Sequence, residues 1–169
     1  MKPARTFDRH VPQAVVMDRA IGSLAERPSV ARIERGSNPT EGRQRMFTHV
    51  MVGANDVAAS KKFYDAVLGA LGIPAGQADP KGRIFYRTKT GVFGITPPID
   101  GKAATHANGG TIGFACDSPE KAKAFHDAGV ANGGKSIEDP PGWREGPAKF
   151  YLAYLRDPSG NKICALHRG

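Results

Sequence analysis

The segment RDPSGNKICALH, Arg156–His167, sets a thiol in the middle of an apolar run that leaves a tight turn. Pro presets φ at the second turn position and Gly accepts positive φ, so DPSG reads as a turn and NKICALH as a strand. Alternation puts Lys162, Cys164 and Leu166 on one face, with Ile163, Ala165 and His167 on the other. A thiol at such a place either fills space as a small apolar group or, as thiolate, binds a soft or borderline ion. Aromatic residues make up only 8% of the chain, so Tyr86 in RIFYRT and Tyr151 and Tyr154 in KFYLAYL stand out as phenols on candidate strands. Alternation sends Tyr151 and Tyr154 to opposite faces. Trp143 lies in EDPPGWREGP, a Pro- and Gly-rich stretch suited to a pocket rim or a subunit contact. Arg83, Arg87 and Arg144 could meet an anionic substituent, although exposed arginines are more often solvated charges. Neither the G-x-S-x-G of a nucleophile elbow nor the G-x-x-x-x-G-K of a phosphate loop occurs.

These groups must be held by elements, and the elements come in two rounds. FTHVMVGA reads as a strand, Asn55-Asp56 as a helix cap, and VAASKKFYDAVLGALG as a helix stopped at Gly72. RIFYRT and GVFGIT follow as two strands about a Lys-Thr-Gly turn. GTIGFAC, the Asp117-Ser118-Pro119 cap, the helix EKAKAFHDAGVANGG, the loop SIEDPPGWREG, then KFYLAYL and NKICALH repeat that order. Shifted by 62 positions, His49 falls on Thr111, Val50 on Ile112, Val52 on Phe114, Phe63 on Phe125, Asp65 on Asp127 and Gly72 on Gly134. Two copies of one supersecondary unit explain this better than a solenoid does.

Composition narrows the classes. The hydrophobic fraction of 40% suffices for a core, and no run of about 20 apolar residues exists to span a bilayer. The N-terminal stretch has neither the apolar region of a secretory signal nor the acid-poor composition of a transit peptide, so the expected location is cytoplasmic. The net charge of +8 is spread over both signs, with nine of the 24 basic residues in positions 1–45, and no basic-aromatic module argues for nucleic acid. Two cysteines, Cys116 and Cys164, without a C-x-x-C pair give no disulfide framework. Residues 1–45 read as a leader, flexible or an extension, holding one short amphipathic stretch in QAVVMDRAIGSLAER, and Met46 is a candidate natural start.

With HVMVGANDVAASKKFYDAVLG in the first copy and RDPSGNKICAL closing the second, the chain resembles the vicinal oxygen chelate superfamily. That group includes glyoxalase I, extradiol dioxygenases, fosfomycin-resistance enzymes and bleomycin-resistance proteins. The resemblance spans Met46 to about His167. It implies an α+β fold of two βαβββ modules, over about 46–100 and 109–169, forming a curved, barrel-like mixed sheet with helices outside. The sheet would enclose a pocket, often completed in a homodimer. His49, Met51, Thr111, Gly113, Ala115 and Cys164 would face it, while Val50, Val52, Ile112, Phe114 and Cys116 would pack outward.

Metal-dependent relatives carry four ligands at inward positions. These match His49, Gly94 in VFGIT, Thr111 in TIGF and Cys164 in KICAL. Only His49 keeps the family's residue type. His49 and Cys164 are the metal candidates, one short of the three protein ligands of a typical catalytic site, with His106 and His167 as unfavoured substitutes. The expectation is therefore a small-molecule binder of bleomycin-resistance type without the usual divalent metal. Met51, Thr111, Trp143, Tyr151 and Cys164 are its candidate ligand contacts. The alternative is a glyoxalase-like lyase or isomerase, with an atypical metal site or with His49 as a metal-free general base. Extradiol dioxygenase chemistry, which needs two His and a Glu, is disfavoured.

Overall fold

The computed structural model describes residues 46–169; the leader expected over 1–45 lies outside the described residues. Strand β1 (His49–Gly53) runs into helix α1 (Val57–Ala70), then β2 (Gln77–Ala78), β3 (Ile84–Arg87) and β4 (Val92–Thr96). The second round is β5 (Ile112–Ala115), α2 (Pro119–Ala131), β6 (Lys135–Ser136), β7 (Gly142–Arg144), β8 (Phe150–Arg156) and β9 (Lys162–Arg168). Each round is a βαβββ unit with β7 added to the second. The stretch expected to be an unbroken loop thus contains a short strand, on which Trp143 pairs with Tyr151.

Both helices begin where a short polar side chain can accept from the first free amides. Asp56 accepts from the Ala59 N–H at 2.9 Å, and Ser118 accepts from the Lys121 N–H at 3.3 Å, with Pro119 following as the first helical residue. In both modules the first strand lies parallel to the last, because the helix carries the chain back across the sheet. The sheets are ordered β1-β4-β3-β2 and β5-β9-β8-β6, with β7 also on β8. No ladder joins β1 to β5; two sheets meet there at a seam. The alternation read from sequence holds on both edge strands: Val52 is buried in the core, and Val50, Ile112, Phe114 and Cys116 pack against it.

The core is shared by both modules. Phe63, Tyr64, Val67 and Leu68 of α1 meet Ala122 and Phe125 of α2 and Leu155 and Ile163 of the second sheet. Burying each large side chain contributes about 1.5–3 kcal/mol. Close approach of the helices requires a glycine: a Cβ at Gly129 would stand 3.1 Å from Val67 Cγ1 and 3.2 Å from Phe63 Cε2. Both helices thereby cover one face of the sheets, leaving the opposite face for His49, Met51, Thr111 and Cys164.

The turn that follows β8 does more than reverse the chain. Gly160 donates to the Asp157 carbonyl at 2.9 Å with φ at 90°, as the DPSG reading requires. The buried Asp157 carboxylate also accepts from the Tyr64 hydroxyl of α1 at 2.9 Å and from the amides of Ser159 and Asn161 at 2.9 and 2.8 Å. Asn161 Nδ2 donates to Asp157 at 2.8 Å and to the Gly53 carbonyl at 3.0 Å. The second module's turn is therefore bolted to the first module's strand and helix. Among the described residues no helix is long and apolar enough to cross a membrane.

Candidate functional site

On the face away from the helices, strand register lays the side chains out in rows. In the first module Met51, Gly94 and Phe85 stand side by side on β1, β4 and β3, next to a row of His49, Val92 and Arg87. Gly94 has no side chain, and the space is taken. A Cβ there would meet the Met51 sulfur, with Met51 Cε at 2.8 Å. Arg83 and Arg87 each lie over the Phe85 ring, at 5.2 and 5.0 Å from its centroid, in cation–π contact. His49 is exposed, and its Nδ1 lies 3.0 Å from the Thr48 hydroxyl.

The second module repeats the row with different residues: Gly113, Cys164 and Tyr154 on β5, β9 and β8. Cys164 is buried, and burial pushes its thiol up to about 11, the nearby Lys162 only partly opposing this. Lys162 reaches over the Tyr154 ring at 4.8 Å and pairs with Glu138. Glu138 is the one non-glycine residue with positive φ among the described residues, at 59°, a backbone state that costs a side-chain-bearing residue roughly 1–2 kcal/mol. Sequence reading missed Glu138, because nothing in SIEDPP shows that its carboxylate would return across the sheet.

Two cavities flank the β1–β5 seam. The larger, about 440 Å³, is lined by Phe47, Val50, Tyr86, Phe93, Ile112 and Phe114, with Thr48 and His49 as polar groups in its wall, so Val50, Ile112 and Phe114, expected to pack away from the pocket, line this cavity from the core side. The smaller, about 320 Å³, lies between Met51, Thr111, Asn161 and Lys162 and the connecting segment at Thr105, Ala107 and Gly110. The expected pocket residues are thus divided: His49 belongs to one cavity, Met51 and Thr111 to the other, and Cys164 to the sheet between Gly113 and Tyr154.

Two candidates stand elsewhere. Tyr151, expected as a ligand contact, lies on the helix-bearing face, because alternation along β8 gives the opposite face to Leu152 and Tyr154. Trp143 joins it there, edge-on to Tyr151 at 5.7 Å and 6.0 Å from the His167 ring. His167 is turned toward the Cys116 carbonyl at 3.2 Å, and His106 packs on Gly160 in the turn. Neither lies beside Cys164.

The four positions that the resemblance expects to hold a metal, His49, Gly94, Thr111 and Cys164, do not form a donor set. Gly94 offers no ligand and Met51 fills its place. Thr111 offers a neutral hydroxyl, and the Cys164 thiol is held protonated at neutral pH by burial. Among the described residues, no group of three His, Cys, Asp or Glu stands close enough to hold an ion.

Comparison with known proteins agrees with this architecture. Residues 46–165 match the family described as Glyoxalase/Bleomycin resistance protein/Dioxygenase superfamily. A glyoxalase/bleomycin resistance protein from Albidiferax ferrireducens T118 is 64% identical, with a TM-score of 0.71, over 73% of this chain and 99% of that one. A glyoxalase-related enzyme from Fulvimarina pelagi shares the fold at 18% identity and TM-score 0.57, over 73% of this chain and 88% of that one. Lactoylglutathione lyase from Agrobacterium tumefaciens does so at 18% and 0.52, over 72% and 92%. No curated protein matches the chain.

Proposed function

The chain belongs to the glyoxalase/bleomycin resistance protein/dioxygenase superfamily, and on that footing we propose that it binds a small aromatic or cationic molecule without the divalent metal of its catalytic relatives. One observation carries this reading. The 440 Å³ cavity is walled by Phe47, Tyr86, Phe93 and Phe114, while three of the four inherited ligand positions carry Gly94, Thr111 and Cys164. A cavity of that size accepts a compound of one or two rings, and aromatic walls suit a flat apolar or cationic guest. His49 in the wall would hydrogen-bond a polar substituent. We extend the reading to a homodimer, supported by the exposure of Met46, Phe47 and Trp143, which a second copy would cover.

The test is thermal stabilisation of the full chain by a library of aromatic and aromatic-amine compounds, run with chelator and again with Mn, Co, Ni or Zn. Hits are expected to be indifferent to metal. Ala115→Trp, at an exposed position in the cavity wall, is expected to abolish them. Stabilisation that appears only with a stoichiometric ion would overturn the metal-free reading. Turnover of a glutathione hemithioacetal that is lost in His49→Ala would instead support the enzyme reading, with the exposed imidazole as base. Light scattering checks the dimer.

A further inference from the structure

The smaller cavity has what the larger one lacks, a lysine in its wall. Its described lining is otherwise uncharged: Met51, Val52, Thr105, Thr111 and Asn161 beside backbone. Lys162 is mostly buried, its side chain 25% exposed, and Arg156 stands next to it on β8. The Arg156 guanidinium donates to the Gly160 carbonyl at 2.6 Å and leaves its charge in place. Of the nearby carboxylates, Asp157 is taken up by Tyr64, Ser159 and Asn161, and the one paired with Lys162 is Glu138, which comes from the loop after β6 with its own backbone in the left-handed region. A half-exposed carboxylate on a strained loop residue is an exchangeable partner. Another carboxylate, presented from the cavity, would meet the same ammonium, with the Thr105 and Thr111 hydroxyls available as donors.

We propose that this cavity is an anion site for a small organic carboxylate, with Lys162 as the binding cation and Glu138 as the internal competitor that the ligand displaces. The site is separate from the aromatic cavity, so either can fail without the other. Lys162 swings from Glu138 to the ligand, and Glu138, released into water, can leave its left-handed backbone state.

The experiment titrates the ¹⁵N-labelled full chain with benzoate, and with benzamide as its neutral isostere, in the wild type, Glu138→Gln and Lys162→Met. Benzoate is expected to shift the amides of Met51, Gly110, Thr111 and Lys162 in the wild type. Removing a charge-assisted contact should weaken benzoate about tenfold in Lys162→Met, and removing the competitor should tighten it about threefold in Glu138→Gln. Benzamide should bind the three proteins alike. Equal shifts of the Met51, Gly110, Thr111 and Lys162 amides by benzoate and benzamide in the wild type overturn the proposal, as does an unchanged benzoate titration of those amides in Lys162→Met. If Lys162→Met does not fold, the wild-type amide map decides: shifts at the cavity support the site, and shifts elsewhere refute it. Ala115→Trp should leave benzoate binding intact, which separates this site from the aromatic one.

Discussion

The cavities on either side of the β1–β5 seam occupy corresponding places in the internal repeat, yet different chemistry closes them. Thr111 in the smaller cavity corresponds to His49 in the larger, and Met51 to Gly113. Lys162 at the start of β9 corresponds to Val92 at the start of β4. The first module has an imidazole and an apolar strand there, while the second has a cation and a hydroxyl. Matched positions with unlike residues give one fold two unlike half-sites over a common core. The hairpin turns differ in the same way. The DPSGN turn of the second module buries Asp157 against Tyr64, whereas Thr88–Gly91 of the first closes on itself through the exposed Thr88 hydroxyl.

That contrast breaks most decisively at the turns. Asp157→Ala leaves the Tyr64 hydroxyl, the Asn161 amide and two backbone N–H groups without their acceptor, and should cost about 3 kcal/mol. Thr88→Ala should cost less than about 1 kcal/mol, because water replaces what it loses. Urea unfolding of the two variants measures the difference; equal costs would deny the second turn its bolting role. Next in size is the thiol at the position matching Gly94. With Cys164 at about 11, its thiolate fraction at pH 8 is roughly a hundredfold below that of a free cysteine, before access is counted. A disulfide reagent at pH 8 should therefore modify it only after unfolding, and rapid modification of the folded chain would reopen Cys164 as a reactive group.

The repeated aspartates give a smaller effect. Asp65 holds the Tyr86 hydroxyl at 3.0 Å, the Gly76 N–H at 2.9 Å and Lys61, while Asp127 lies on the surface with Lys123 and His126. Asp65→Asn should cost about 1–2 kcal/mol, and Asp127→Asn, on the open surface, should leave stability nearly unchanged. The same site sets an acid dependence. Burial alone would raise the Asp65 carboxyl, but Lys61, the Gly76 N–H and the Tyr86 hydroxyl outweigh it and hold it below the usual carboxylate range. Its stabilising contribution is present in full above the unfolded value of about 3.9 and is lost as pH falls through the lower folded value. Asp65→Asn should therefore flatten the fall in stability below about pH 4.

Both modules, both helix starts and the inward alternation of β1 and β5 were legible in the sequence, because each rests on local rules: a cap, a turn residue, a period of two. That Gly94, Thr111 and Cys164 offer a poor donor set follows from their residue types alone. What escaped depends on pairs far apart in the chain. Tyr154 and not Tyr151 faces away from the helices because the β8–β9 register puts it beside Cys164, and β8 alone carries apolar residues on both faces. Trp143 follows Tyr151 through the β7–β8 pairing that the EDPPGWREGP composition concealed.

The sequence by itself determined the order of the elements and the groups at His49, Gly94, Thr111 and Cys164, since all of these follow from near neighbours along the chain. Only the tertiary structure decided that two cavities lie along the β1–β5 seam, the larger walled by the core-facing Val50, Phe93, Ile112 and Phe114, that Met51 fills the space at Gly94, and that Glu138 reaches Lys162. Each of these depends on which strands lie side by side, and that is settled by the shared core of both modules.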